Sequence, residues 1–143
     1  MNVSSILKDK GSEVVSASPD ATLFDIAKLL AEHGIGCVVV TDENGGIAGI
    51  CSERDIVRTM AKRGPSAMEE PVLRSMTKKV VTCEVTDTVD RLMARMTAGR
   101  FRHLPVLVDD RLAGIVSIGD VVRMRIAEAE MEAAAMRDYI ATG

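Results

Sequence analysis

The chain is written twice. Ala48-Gly49-Ile50-Cys51-Ser52-Glu53-Arg54-Asp55-Ile56-Val57-Arg58 is echoed by Ala113-Gly114-Ile115-Val116-Ser117-Ile118-Gly119-Asp120-Val121-Val122-Arg123. The echo extends upstream, where Val14-Val15-Ser16 matches Val80-Val81-Thr82, Thr22 matches Thr88 and Val40 matches Val106, with one gap at Gly45. A period of about 65 residues is too long for a solenoid unit and short for an ordinary domain. Two copies are therefore expected to build one domain, each supplying half of its core.

Each copy reads strand, helix, strand, strand, helix. In the first, Val14-Val15 is a short apolar strand. Thr22 stands three before Asp25, a capping-box spacing, and Leu23, Ile26, Ala27 and Leu30 follow at helical intervals until Gly34 and Gly36. Val38 to Val40 is a β-branched run, Asn44-Gly45-Gly46 a hairpin turn, and Ile47 to Cys51 the returning strand. Ser52 opens a helix through Met60. In the second copy Val80-Val81 is the strand and Val89, Leu92, Met93 and Met96 mark the helix. Leu104 to Val108 and Leu112 to Val116 pair around Asp109-Asp110-Arg111, and Ser117 opens the last helix. The reading divides the chain into a first repeat at 1–63, a Gly- and Pro-broken linker at 64–71, a second repeat at 72–128 and a helical extension at 129–143. The last helix spans about Asp120 to Ile140. Val122, Ile126, Ala129, Ala133, Met136 and Ile140 recur at 4-3-4-3-4 spacing on it. That stripe suits either packing on its own domain or pairing with a second subunit.

Composition narrows the function. Hydrophobic residues make up 47% of the chain but aromatics only 2%, so the core falls to Val, Ile, Leu, Met and Ala. A net charge of −3 and the lack of stacking platforms argue against nucleic-acid binding. No run approaches a membrane span, and Met1 to Lys10 has no signal-peptide pattern. Cys37, Cys51 and Cys83 lack metal or redox spacing and read as reduced thiols, hence a cytoplasmic location. No metal cluster, phosphate loop or catalytic constellation is visible, so no enzyme is expected.

Two ordered copies, each ending in Gly-Ile-x-Ser-x-x-Asp, resemble the cystathionine-β-synthase (CBS) domain pair, or Bateman module. Ser-Glu-Arg-Asp-Ile-Val-Arg, Arg-His-Leu-Pro-Val and Ser-Ile-Gly-Asp-Val-Val are close to the pattern of small stand-alone bacterial members. The resemblance implies an α/β (α+β) fold of two repeats related by pseudo-twofold symmetry, their short sheets back to back. It also implies two clefts that hold adenosine-containing ligands, with AMP expected first and ATP, NAD(H), ADP or S-adenosylmethionine as further candidates. A regulatory role as an energy or redox sensor follows, in a homodimer and on an unknown protein partner in trans. The competing reading is a constitutive oligomerisation scaffold with vestigial clefts.

The resemblance places Ser52, Arg54 and Asp55 of the first cleft with Val80, Val81, Thr82 and Cys83 and with Arg102, His103, Leu104 and Pro105. The second cleft joins Ser117 and Asp120 to Val14, Val15, Ser16 and Ala17 and to Gly36, Cys37, Val38 and Val39. A carboxylate can accept from both vicinal hydroxyls of a ribose, and Arg makes forked contacts to phosphate. The second cleft keeps the carboxylate, but Gly119 replaces Arg54, and Gly36 and Cys37 replace Arg102 and His103. It is expected to be weaker, empty or differently specific. Ser-x-x-Asp also has capping-box spacing with Asp in the usual Glu position, so on spacing alone a helix cap remains open beside a ligand contact.

Overall fold

In the computed structural model, which describes residues 1–142, the elements run α1 (Val3–Lys10), β1 (Ser16–Ala17), α2 (Leu23–His33), β2 (Cys37–Thr41), β3 (Ile47–Ser52), α3 (Glu53–Arg63), α4 (Val89–Gly99), β4 (His103–Val108), β5 (Arg111–Ser117) and α5 (Ile118–Thr142). Two short 3₁₀ turns, Pro65–Glu69 and Val72–Arg74, link the repeats. This is the expected mixed α/β pair with a long final helix.

Local sequence explains most boundaries. Thr22 Oγ1 accepts from Asp25 N at 3.1 Å while Asp25 accepts from Thr22 N at 3.0 Å, closing the expected capping box. Gly34 takes the left-handed conformation that ends α2. The β4–β5 turn uses Asp109 and Asp110, both at positive φ, where Asp is tolerated better than most side chains.

Three expectations shift. The first strand is Ser16–Ala17 rather than Val14-Val15, although Val15 O still accepts from Val39 N at 3.2 Å. Val80-Val81 forms no strand, and that repeat pairs only at Cys83, which bridges Val106. The register therefore slides toward the position where the backbone meets β2 or β4, which apolar residues alone did not mark. The third is the core. β1-β2-β3 and β4-β5 are separate sheets, and the apolar interior falls into two clusters instead of one shared core.

Each cluster borrows from the segment that leads into the other repeat. Val3 and Ile6 of α1 join Leu92, Leu104, Val106 and Val116 of the second repeat. Val72 and Met76 join Leu23, Ile26, Val38 and Val40 of the first. An eight-residue helix is unstable alone, so α1 exists because its apolar side is buried there, at about 1.5–3 kcal/mol for each large side chain. β2 is buried on both faces, since Cys37 and Val39 are as inaccessible as Val38 and Val40. Pro105, which matches Val39 in the repeat, is buried as well. Sheet faces turned away from the helices are thus covered where the repeats meet.

Candidate functional site

β3 delivers Ser52 to the start of α3, and the backbone there forms a closed capping box. Asp55 N donates to Ser52 Oγ at 3.3 Å, and Ser52 N donates to Asp55 Oδ2 at 2.9 Å. The cap does not exhaust the carboxylate. Its Oδ1 accepts from Thr77 Oγ1 at 3.2 Å, and the group faces a cavity of about 280 Å³. Ser52, Arg54, Asp55, Arg102 and His103, drawn from both repeats, line that one cavity. With them stand Gly36, Ile50, Glu53, Arg58, Thr77, Arg100 and Phe101.

The cavity carries an excess of cations. Arg54, Arg58, Arg100 and Arg102 all line it, and none forms an ion pair among the described residues. Two carboxylates, Glu53 and Asp55, share the wall. Burial first, and then the charge of Lys10, lower the His103 pKa from its usual 6.5, against the pull of Glu53 and Asp120. At neutral pH its imidazole is therefore uncharged and offers one donor and one acceptor. The site can hold an anion beside a group rich in hydroxyls.

Several expected residues lie elsewhere. Val80, Val81, Thr82, Cys83, Leu104 and Pro105 do not line this cavity. Leu104 is core, and Cys83 is buried on the β4 edge with its N–H on Pro105 O. Thr77 stands where Val80 to Cys83 were expected. Its N–H and carbonyl pair with Ile50 at 2.8 and 3.0 Å, which brings its hydroxyl onto Asp55. Gly36 moves from the second set to the first, because it packs against His103; a Cβ there would lie 3.4 Å from the imidazole. Arg100 and Phe101 were legible only as neighbours of Arg102. Gly99 makes their placement possible, since a Cβ on it would sit 2.1 Å from the Phe101 ring.

The second set does not form a comparable cleft. Ser117 and Asp120 repeat the cap, with Ser117 N and Asp120 N donating at 2.9 and 3.2 Å. Yet Asp120 is buried, and its Oδ2 accepts from Lys10 Nζ at 2.7 Å while Arg123 holds Oδ1. Lys10 Nζ also donates to Ile115 O at 3.0 Å. Ile115 occupies the position of Ile50 in the repeat. One site thus receives Thr77 from an extended backbone and the other an ammonium from the end of α1. The space left beside Asp120 is about 90 Å³, lined by Lys10, Arg123 and α1 and α5 residues, which is too small for a nucleoside. Val14, Val15, Ser16, Ala17, Cys37, Val38 and Val39 do not line it. Val38 and Val39 are fully buried, and Ser16 and Ala17 are spent on β1.

All three thiols are buried and unpaired, and burial is the first cause that pushes each to about 12. They are packing groups in their protonated form.

The family model for the CBS domain matches this chain twice, over residues 3–62 and 71–126. The chain belongs to the CBS-domain family. Among its relatives, the mitochondrial CBS domain-containing protein CBSX3 of Arabidopsis thaliana is 35% identical over 99% of this CBS pair and 72% of its own length. A CBS-domain containing protein of Agrobacterium tumefaciens superposes with a TM-score of 0.85 at 47% identity, covering 87% of this chain and 99% of that one. A CBS domain protein of Pyrobaculum aerophilum, complexed with AMP, superposes with a TM-score of 0.75 at 28% identity over 84% and 89%. The CBS pair of protein MJ0100, in complex with 5′-methylthioadenosine and S-adenosyl-L-methionine, gives 0.80 at 26% over 90% and 98%. No described helix of this CBS pair is long and apolar enough to cross a membrane.

Proposed function

We propose that this CBS pair is a regulatory module, not an enzyme, that binds a phosphate-bearing adenosine ligand in the arginine-lined cleft beside Asp55 and signals to a protein partner in trans. The observation that carries this is the set of four arginines without carboxylate partners around one cavity, beside the Asp55 carboxylate. The guanidinium groups suit phosphate oxygens, Asp55 suits ribose hydroxyls, and Ile50 and Phe101 offer apolar surface to a base. Among the candidate adenosine ligands, AMP is the smallest that carries a phosphate, and a cavity of about 280 Å³ lies at the small end of ligand sites. AMP and S-adenosyl-L-methionine in related pairs support the ligand class. Lys10 on Asp120 supports one site per chain. A ligand that prefers one packing of the repeats shifts the population toward it, which a partner can read.

Titration calorimetry tests the reading. One AMP binds per chain, and adenosine binds at least about tenfold more weakly because the phosphate contacts are absent. Asp55→Ala weakens AMP by about tenfold or more, since each hydrogen bond to a carboxylate contributes about 1.5–3 kcal/mol. Asp120→Ala leaves AMP affinity unchanged. Equal losses in the two variants overturn the assigned asymmetry. Failure of every adenine nucleotide to bind overturns the sensor and favours the scaffold. Turnover of a nucleotide that Asp55→Ala abolishes overturns the assignment as a non-enzyme.

A further inference from the structure

The second repeat writes His103 where the first writes Cys37. Each residue opens a strand and lies opposite the end of the next one, Cys37 across from Ser52 and His103 across from Ser117. Directly opposed residues of an antiparallel pair share one face of the sheet. His103 therefore stands between two anion-handling places. It lines the cavity with Arg54, Arg58, Arg100 and Arg102. It also neighbours the Ser117 cap, whose hydroxyl donates to Asp120 Oδ2 at 3.0 Å. The imidazole is half-buried, and among the described residues it makes no hydrogen bond or ion pair, so neither nitrogen is committed. The charges around it come from every neighbouring element. Lys10 belongs to α1, Glu53, Arg54, Asp55 and Arg58 to α3, Arg100 and Arg102 to the segment between α4 and β4, and Asp120, held by Arg123, to α5. Burial and then Lys10 favour the neutral ring, against Glu53 and Asp120. A ring balanced in this way changes charge when an anion is added beside it.

We propose that His103 is the specificity-determining group of the cleft: it takes up a proton as a terminal phosphate binds, and so selects a phosphate monoester over an adenosine ligand that carries none. This rests on the reading that the cleft binds a nucleotide. The step moves one proton from solvent to the ring. The neutral imidazole has one donor, whereas the imidazolium donates from both nitrogens. A phosphate monoester brings about −1.5 to −2 charge at neutral pH and stabilises the imidazolium. Adenosine brings no charge, and the sulfonium of S-adenosyl-L-methionine brings a positive one. The four arginines act on the ring before and after binding alike, so the change in protonation comes from the phosphate. Cys37 cannot play this part in the first repeat, because burial pushes its thiol up to about 12. A ring that holds its proton more tightly in the complex makes affinity rise as pH falls from the bound midpoint to the free one. Below about pH 6 the phosphate itself takes a proton and the gain ends.

Titration calorimetry of the full chain with AMP, in buffers of different ionisation enthalpy at about pH 7, should show uptake of about 0.3 proton or more per AMP bound. Adenosine and S-adenosyl-L-methionine should show none. By NMR, saturation with AMP should raise the His103 midpoint by about one pH unit or more. The chain's other histidine, His33, is exposed at the end of α2 and should not move. The preference for AMP over adenosine should grow as pH falls from about 8 to about 6.5. His103→Asn, with its fold checked by circular dichroism, should bind AMP about tenfold more weakly, without proton uptake and with a flat pH profile. AMP binding without proton uptake, or with an unmoved His103 midpoint, overturns the proposal and leaves the nucleotide reading standing. So does uptake that persists in His103→Asn or that adenosine matches. Failure of AMP and every other adenine nucleotide to bind overturns both.

Discussion

Lys10→Met removes the ammonium that fills the second site while keeping most of the apolar stem. The Asp120 side chain is 5% exposed, and Lys10 supplies its Oδ2 with a 2.7 Å hydrogen bond. Removing one partner of a fully buried ion pair costs about 3–5 kcal/mol. Here Lys10 is 31% exposed, and Ser117 and Arg123 still hold the carboxylate. The expected loss is accordingly about 1–2 kcal/mol, or a fall in Tm of about 3–8 °C. The pH dependence gives the sharper test. Burial pushes the Asp120 pKa up, but the Lys10 hydrogen bond, the Ser117 N–H and the Lys10 charge together hold it below 3.8. A folded value below the unfolded one means Asp120 contributes its stability above the unfolded pKa and loses it as pH falls through the folded pKa. Lys10→Met removes two of the causes that lower it, so the folded pKa rises toward or above the unfolded one. The gap between wild type and variant should therefore be widest at neutral pH and close below about pH 4. Urea unfolding followed by circular dichroism at several pH values reads this directly. Equal stability at neutral pH, or a gap that persists unchanged in acid, refutes the reasoning.

Two matching glycines should respond differently. Alanine at Gly49 would place its Cβ 2.7 Å from Thr77 O, a backbone atom, whereas alanine at Gly114 would meet the flexible end of Leu7 at 2.8 Å. Gly49→Ala should cost about 1–3 kcal/mol, Gly114→Ala distinctly less, by thermal or urea unfolding. Equal costs would contradict the assigned contacts. In an NMR titration His103 should titrate below 6.5, and Lys10→Met should raise its midpoint by removing the nearby positive charge. An unmoved midpoint would place Lys10 away from that imidazole.

Elements that depend on neighbours in the chain were legible from the residues. Thr22 and Asp25 announced a cap and formed it; the β-branched run at Val38 to Val40 became a buried strand; Ser52-x-x-Asp55 and Ser117-x-x-Asp120 became two copies of one helix start. Ser52, Arg54, Asp55, Arg102 and His103 meet around one cavity, whereas Val80 to Cys83, Leu104 and Pro105 do not line it. α1 was not foreseen, because Val3 and Ile6 are apolar to no purpose until the second repeat covers them.

The written sequence set two homologous units, two carboxylates at equivalent helix starts, and a final helix with an apolar stripe. Which carboxylate stays open was decided in three dimensions. Thr77 reaches Asp55 through an extended backbone laid along β3, and Lys10 reaches Asp120 from the end of a helix packed against β5. Both contacts span chain separations across which spacing carries no signal. Two near-identical motifs thus diverge through what packs against them, because a charge is solvated or neutralised by whatever the fold brings close.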